Sequence, residues 1–290
     1  MNALAGDGPV LLPQVWTRPT IDFDAADVLA RIERGLTVGL IATPRERLQT
    51  CKADDPLEEA VARPEVERFD FLPVLKDDKF IGLLHRAPFV NGNRVPDGRA
   101  VAEFVEPLSE TNLIGADAGI LAFVRTADRM PCRLVFGDAE ISGMVTLSDM
   151  QKLPVRPVLF LLITQLELLM YECIKTVYNG DSWLARLPKD QQDRVERFWT
   201  RQHDENSDVD KLLVTSLGHK ATIIEATPSL SPISTSFSGF KPIVDLRDQL
   251  AHAKDYAGTP STARVTCQIV RRIEELVQQL SDRLKKKASP

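Results

Sequence analysis

The stretch "RFDFLPVLKDDKFIGLLHRAPF", residues 68–89, aligns without a gap on "RMPCRLVFGDAEISGMVTLSDM", residues 129–150, at an offset of 61 residues. Arg68 meets Arg129, Val74 meets Val135, Asp77 meets Asp138 and Gly82 meets Gly143. Each copy reads as a strand, a tight polar turn ("KDD" and "FGD"), a second strand and then a helix. Short apolar runs bounded by such turns are the mark of hairpins. A helical stretch leads into each copy, "DPLEEAVARPEVERF" into the first and "AGILAFVRTADRM" into the second. A lone unit of this kind cannot bury its apolar face, so the repeat predicts two similar α+β units packed face to face.

The second copy ends on "GMVTLSDM", with Gly143, Thr146 and Asp149 at a spacing that suits a ligand. A strand-to-helix turn presents backbone N–H groups and a hydroxyl to a phosphate. A carboxylate at the helix start can accept both hydroxyls of a ribose. Glycine lets the backbone come close. Thr146 and Asp149 also suit plain helix capping. These residues resemble the end of a CBS domain: Gly, two apolar residues, Thr or Ser, two residues, Asp. The resemblance implies a tandem CBS module that binds AMP, ATP or a related adenosyl ligand between its two units, as a regulator. The first copy departs from the pattern. "GLLHRAPF" has His85 where the hydroxyl belongs and Pro88 where the ribose carboxylate belongs, so one of the two clefts is expected to lack ribose recognition.

"QKLPVRPVLF" marks a boundary, with Pro154 and Pro157 closing the repeat and Pro157 suited to the first turn of a helix. This divides the chain into residues 1–153, the N-terminal segment and repeat, and 154–290, an all-α bundle of four or five helices. The predicted helices run from about 157 to 178, from 188 to about 203, over "DVDKLLVTSLGHKATIIEA", over the segment holding "VDLRDQLAHAKDY", and over "STARVTCQIVRRIEELVQQLSDRLKKK". The Ser- and Pro-rich "TPSLSPISTSFSG" is a predicted loop, and "RLKKKASP" a frayed basic tail.

In the fourth helix, Leu246, Leu250 and Ala253 form an apolar stripe at about 100° per residue. His252 lies well off that stripe, which argues against a core histidine. Asp248 precedes His252 by four residues, so its carboxylate is expected to orient the imidazole. Arg247 is on a different face, and bringing it to His252 requires a local distortion or a second subunit. Arg247, Asp248 and His252 resemble the Arg-x4-6-His motif of the HEPN superfamily. The resemblance covers roughly residues 155 to 283 and implies a helical homodimer that cleaves RNA without a metal or catalytic cofactor. Histidine near neutral pKa suits a base for the 2′-hydroxyl, and a guanidinium suits the phosphorane. The competing expectation is a non-enzymatic nucleotide sensor whose bundle serves dimerisation or partner binding. His203, His219 and Lys220 have no motif behind them and are expected on helix surfaces.

Composition narrows the classes. The 290 residues are 43% hydrophobic and 27% charged, enough for a core without disulfides or metals. Residues 1–150 carry 16 basic against 24 acidic residues, and the remainder 20 against 17. Only the second part leans toward a polyanion such as RNA. Cys51, Cys132, Cys173 and Cys267 have no metal or redox spacing and read as reduced thiols of a cytoplasmic protein. The first residues lack a basic n-region, so no secretory signal is expected. The apolar run 158–178 contains Gln165, Glu167 and Glu172, which favours a buried helix over a membrane span.

Overall fold

The computed structural model describes residues 32, 34–90, 95–204, 207–208 and 210–288, together with a two-residue strand, β1 (Trp16–Thr17). The chain forms two compact units: residues 26–166 with 242–277, and residues 1–25 with 167–241 and 278–290. The expected boundary at 153/154 falls inside the unit that holds the repeat. The start of the long apolar helix and the segment carrying Arg247 and His252 belong to that same unit.

The repeat builds two four-stranded sheets. In chain order the elements are β2 (Thr43–Pro44), β3 (Cys51–Lys52), α1 (Leu57–Ala62), β4 (Phe71–Lys76), β5 (Lys79–His85) and α2 (Ala87–Val90). They continue with β6 (Glu106–Pro107), β7 (Leu113–Gly115), α3 (Ile120–Val124), β8 (Cys132–Gly137), β9 (Glu140–Thr146) and the 3₁₀ turn Leu147–Gln151. The predicted hairpins are β4–β5 and β8–β9. Their turns hold Asp77, Asp78, Asp138 and Ala139 in the left-handed region, and each hairpin carries a bulge at the same place, Val74/Leu75 and Val135/Phe136.

The sheet orders are β3-β4-β5-β6 and β2-β9-β8-β7. Each sheet therefore borrows an edge strand from the segment that leads into the other copy. The bridges Thr37↔Gly119 and Pro56↔Ala100 repeat the exchange. This explains the paired glycines. A Cβ on Gly82 would sit 2.1 Å from the carbonyl of Glu106 in β6, and one on Gly143 would sit 2.5 Å from the carbonyl of Thr43 in β2. The sheets meet through Leu83, Cys132, Leu134 and Met144, with Phe71, Phe80 and Ile141 packed against them. Leu83 and Met144 are equivalent positions, as are Phe80 and Ile141, so the copies face each other symmetrically. A second cluster, built on Leu57, Val61, Leu72, Val74 and Leu84, fills the first copy beneath α1.

Helices follow: α4 (Val155–Val177), α5 (Lys189–Asp204), the two-residue strand β10 (Ser207–Asp208, paired with β1), α6 (Leu217–Glu225), α7 (Ile233–Ser236), α8 (Lys241–Ala251) and α9 (Pro260–Ala288). By length and composition, α4 could cross a membrane. Val155, Leu159, Ile163, Leu166, Met170 and Ile174 are buried, as a core helix requires.

Four local expectations are corrected. The third helix is shorter than predicted, because Ser216 caps it by accepting from the His219 amide at 3.1 Å. The Ser- and Pro-rich stretch contains α7 and a 3₁₀ turn at Pro228–Leu230 rather than loop alone. The basic run at 285–287 is helical, not frayed. Lys220 is also not a surface residue. It is 2% exposed and donates to Glu167 Oε1 at 2.9 Å and to the Thr215 carbonyl at 2.6 Å, while burial pushes its pKa down. His219 is half-buried, and His203 stacks on Trp199 one helical turn away.

Candidate functional site

Thr146 closes β9 and opens the 3₁₀ turn Leu147–Gln151. The Asp149 carboxylate folds back as the partner in a capping box. Its Oδ2 accepts from the Thr146 amide at 2.6 Å and from the Thr146 hydroxyl at 3.0 Å, and its Oδ1 pairs with Lys152 Nζ at 2.7 Å. A carboxylate offers about four lone-pair sites. Three are used here, which leaves capacity for one further donor on a residue that is 7% exposed. Gly143 lies in β9 opposite Pro44, where the close approach it permits is to β2.

The first copy repeats the backbone but not the chemistry. Arg86 N donates to the Asp70 carbonyl at 2.7 Å, as Leu147 N does to the Pro131 carbonyl at 2.8 Å. The Arg86 side chain turns inward, donating to the carbonyls of Val61 at 2.7 Å and Glu67 at 3.1 Å, so it is a structural arginine. His85, at the position of Thr146, is exposed and stacks on Phe71 with centroids 4.6 Å apart. Pro88 replaces Asp149 and supplies no cap.

Thr146 and His85 line a cavity of about 500 Å³, whereas Gly143, Asp149, Arg86 and Pro88 stand behind its lining. The volume is within the range of roughly 300–1,000 Å³ usual for small-molecule sites. Its walls include equivalent pairs from the two copies: His85 with Thr146, Ala87 with Ser148, and Asp70 with Pro131. Arg68 and Phe69 line it as well. The remaining wall comes from residues 257–260 with Ala263 and Arg264, between α8 and the first turns of α9. Sequence reasoning missed that wall, since no local motif links it to a turn more than a hundred residues earlier. Charge on the lining is mixed, with Arg68 and Arg264 against the one carboxylate of Asp70.

The segment entering this wall is anchored to the second copy. Tyr256 donates its hydroxyl to the Met150 carbonyl at 2.7 Å, and burial pushes its pKa up to about 12, so it remains a donor at neutral pH. The Thr266 hydroxyl donates to the Tyr256 carbonyl at 2.7 Å. Arg156 donates to the carbonyls of Gln249 at 2.9 Å, Leu250 at 2.8 Å and Lys254 at 2.8 Å, and lies 5.1 Å from the centre of the Tyr256 ring. A guanidinium on the last carbonyls of a helix both satisfies them and offsets the helix dipole.

That helix end carries the other predicted residues. The helix α8 stops at Ala251, and Ala253 adopts a φ of 51°. His252 therefore lies beyond the helix, exposed, and its amide donates to the Asp248 carbonyl at 3.1 Å. The expected pairing of the Asp248 side chain with the imidazole does not form. Arg247 NH1 takes that carboxylate at 3.0 Å, because a long guanidinium reaches its neighbour while the chain leaves the helical path at Ala253, directly after His252. Arg247 and Asp248 remain about half accessible, at 43% and 51%. Among the described residues no group of three or more His, Cys, Asp or Glu is arranged to hold a metal ion.

No family model matches the chain, and no curated relative matches it. Solved structures are similar to part of it. The CBS domain of a bacterial CNNM/CorC family Mg2+ transporter, in complex with ATP, is 18% identical, with a TM-score of 0.37, over 46% of this chain and 95% of that one. A hemolysin-like protein containing a CBS domain, from Oenococcus oeni PSU, is 16% identical, with a TM-score of 0.35, over 43% and 95%. The CBS-pair protein CBSX2 of Arabidopsis thaliana is 18% identical, with a TM-score of 0.35, over 42% and 94%.

Proposed function

We propose that the paired repeats form a nucleotide sensor, taking AMP, ATP or a related adenosyl ligand beside Thr146, and that residues 257–264 report occupancy to the end of α8. The supporting observation is the shared cavity, into which both copies and the α8–α9 connection project. A phosphate oxygen takes the Thr146 hydroxyl's hydrogen bond from Asp149 Oδ2, and the acceptor site this frees, with the spare one, serves a ribose hydroxyl that reaches past the lining to Asp149. Arg68 and Arg264 supply positive charge for phosphates. Phe69 and the Phe71–His85 stack offer a flat apolar surface to a base. Regulation follows only if the ligand prefers one arrangement of the 257–264 wall over another. Titration calorimetry of the full chain with ATP and with AMP tests the reading. Binding is expected, with Thr146→Val weakening it about tenfold, roughly 1.4 kcal/mol. No binding, or equal binding by Thr146→Val and Asp149→Ala, overturns it.

A second reading concerns α8, and the exposure of His252 beside a half-accessible Arg247 favours it. Two copies of the chain would meet across this turn to cleave RNA. His252 takes the proton of a 2′-hydroxyl, whose oxygen attacks the adjacent phosphorus. Arg247 offsets the charge of the phosphorane. The 5′-oxygen leaves with a proton from the protonated histidine of the second copy, giving a 2′,3′-cyclic phosphate and a 5′-hydroxyl. Asp248 holds Arg247 in this scheme. RNA cleavage in EDTA, lost in His252→Ala and altered by ATP or AMP, is the expected result. No cleavage by the wild type, or undiminished cleavage by the variant, removes the reading and leaves the sensor.

A further inference from the structure

A second cavity, of about 730 Å³, lies in the other compact unit and shares no residue with the first. One wall is the face of α9 that carries Gln279, Arg283, Lys286 and Lys287, at helical spacings of four, three and one. The opposite wall is Ser231 and Pro232 with Ile233, Thr235 and Ser236 of α7. Basic residues in a last helical turn ordinarily serve the helix dipole. Two features exceed that role here. Arg283 donates to the Ser229 carbonyl at 2.9 Å and Lys287 to the Thr176 carbonyl, which fixes their charged ends at the protein surface. None of Arg283, Lys286 and Lys287 makes an ion pair among the described residues. The one carboxylate on the lining, Asp282, accepts instead from Gln278 at 2.9 Å.

Three cations around a concave space, with one carboxylate against them, form a binding surface for a ligand with several negative charges. The guanidinium keeps N–H groups beyond the one given to Ser229, and Lys286 keeps all three of its own. The Ser231 hydroxyl has no partner among the described residues and adds a neutral donor. Planar arginine, point-charge lysine and a hydroxyl together suit the oxygens of phosphate better than those of a single carboxylate. We infer that this cavity binds a phosphate-bearing polyanion, either a free oligophosphate compound or the backbone of an RNA strand.

Titration of the full chain with tripolyphosphate, and with a short single-stranded RNA, separates the two sources. The wild type is expected to bind tripolyphosphate. Lys286→Glu with Lys287→Glu is expected to weaken that binding at least about tenfold, and Lys286→Glu alone about threefold. The single variant changes an exposed side chain with no hydrogen bond to lose, so it keeps the fold. Thr146→Val is expected to keep the part of that binding that the charge reversals remove. RNA that competes with tripolyphosphate, and is lost in the same variants, identifies the backbone as the source. RNA indifferent to them identifies the free compound. No tripolyphosphate binding by the wild type, binding unchanged by the charge reversals, or binding abolished by Thr146→Val, overturns the inference.

Discussion

The two copies of the repeat share a backbone and divide the work. Both hairpins turn through left-handed residues, both carry a bulge at the same register, and both end on an amide donating to an equivalent carbonyl. Beyond that point they part. The second copy caps its turn with Asp149 and leaves Thr146 partly buried, while the first turns Arg86 inward and exposes His85. The second copy is also the one tied to the later helices. Arg271 grips Asp128 with two bonds of 2.8 and 2.7 Å, Arg125 pairs with Glu274, and Tyr256 holds Met150. Glu67, at the position of Asp128, is exposed and makes no ion pair among the described residues. Both copies keep what the fold needs, while the capping carboxylate and the attachment to the later helices belong to the second alone.

The comparison breaks first where the copies are alike. Gly82→Val and Gly143→Val each force a side chain into the carbonyl of a borrowed edge strand. Each is expected to cost about 3 kcal/mol or more, measured by urea denaturation. A large loss in one copy alone would show that the exchanged strands are not equivalent.

Next comes the attachment of the second copy. The Arg271 guanidinium holds the Asp128 carboxyl below its usual range. A carboxylate depressed in the folded state adds stability that is full above its unfolded pKa of about 4 and fades as pH falls through the lower folded value. Asp128→Asn is expected to cost about 3 kcal/mol at neutral pH and to flatten the acid limb of a stability–pH curve. Glu67→Gln is expected to do neither. Equal effects would erase the asymmetry.

The caps give a smaller contrast. Asp149→Ala is expected to cost about 1–2 kcal/mol, whereas Pro88→Ala removes no cap and is expected to leave the thermal midpoint close to the wild type. Smallest is a difference that should be absent. Burial raises the Cys51 thiol to about 11 and pushes Cys132 upward as well. Both copies are thus expected to resist a thiol reagent at mildly alkaline pH until the chain unfolds. Rapid labelling of either in the native state would show a local opening.

The sequence made the internal symmetry plain because a fixed offset carries turns, glycines and apolar positions together. It hid the exchanged strands, because β2 and β6 are two residues long and show no period. The wall at 257–264 was hidden for a different reason, since tertiary packing alone brings it to Thr146. At α8 the motif was visible, but its geometry depended on a helix continuing past 251. The helix stops there without a glycine, with Ala253 taking the left-handed conformation, and Arg247 reaches Asp248 first. Lys220 read as a surface residue because its partners, Glu167 and the Thr215 carbonyl, are not set by helix periodicity.

The central claim is that the second copy, not the first, senses the nucleotide and passes the signal to the α8–α9 connection. Hydrogen–deuterium exchange of the full chain, with and without saturating AMP or ATP, tests it directly. Protection is expected to rise at residues 146–151 and at 256–264, and much less at 85–90. Protection concentrated at 85–90, or ligand binding that leaves 256–264 unchanged, would contradict it.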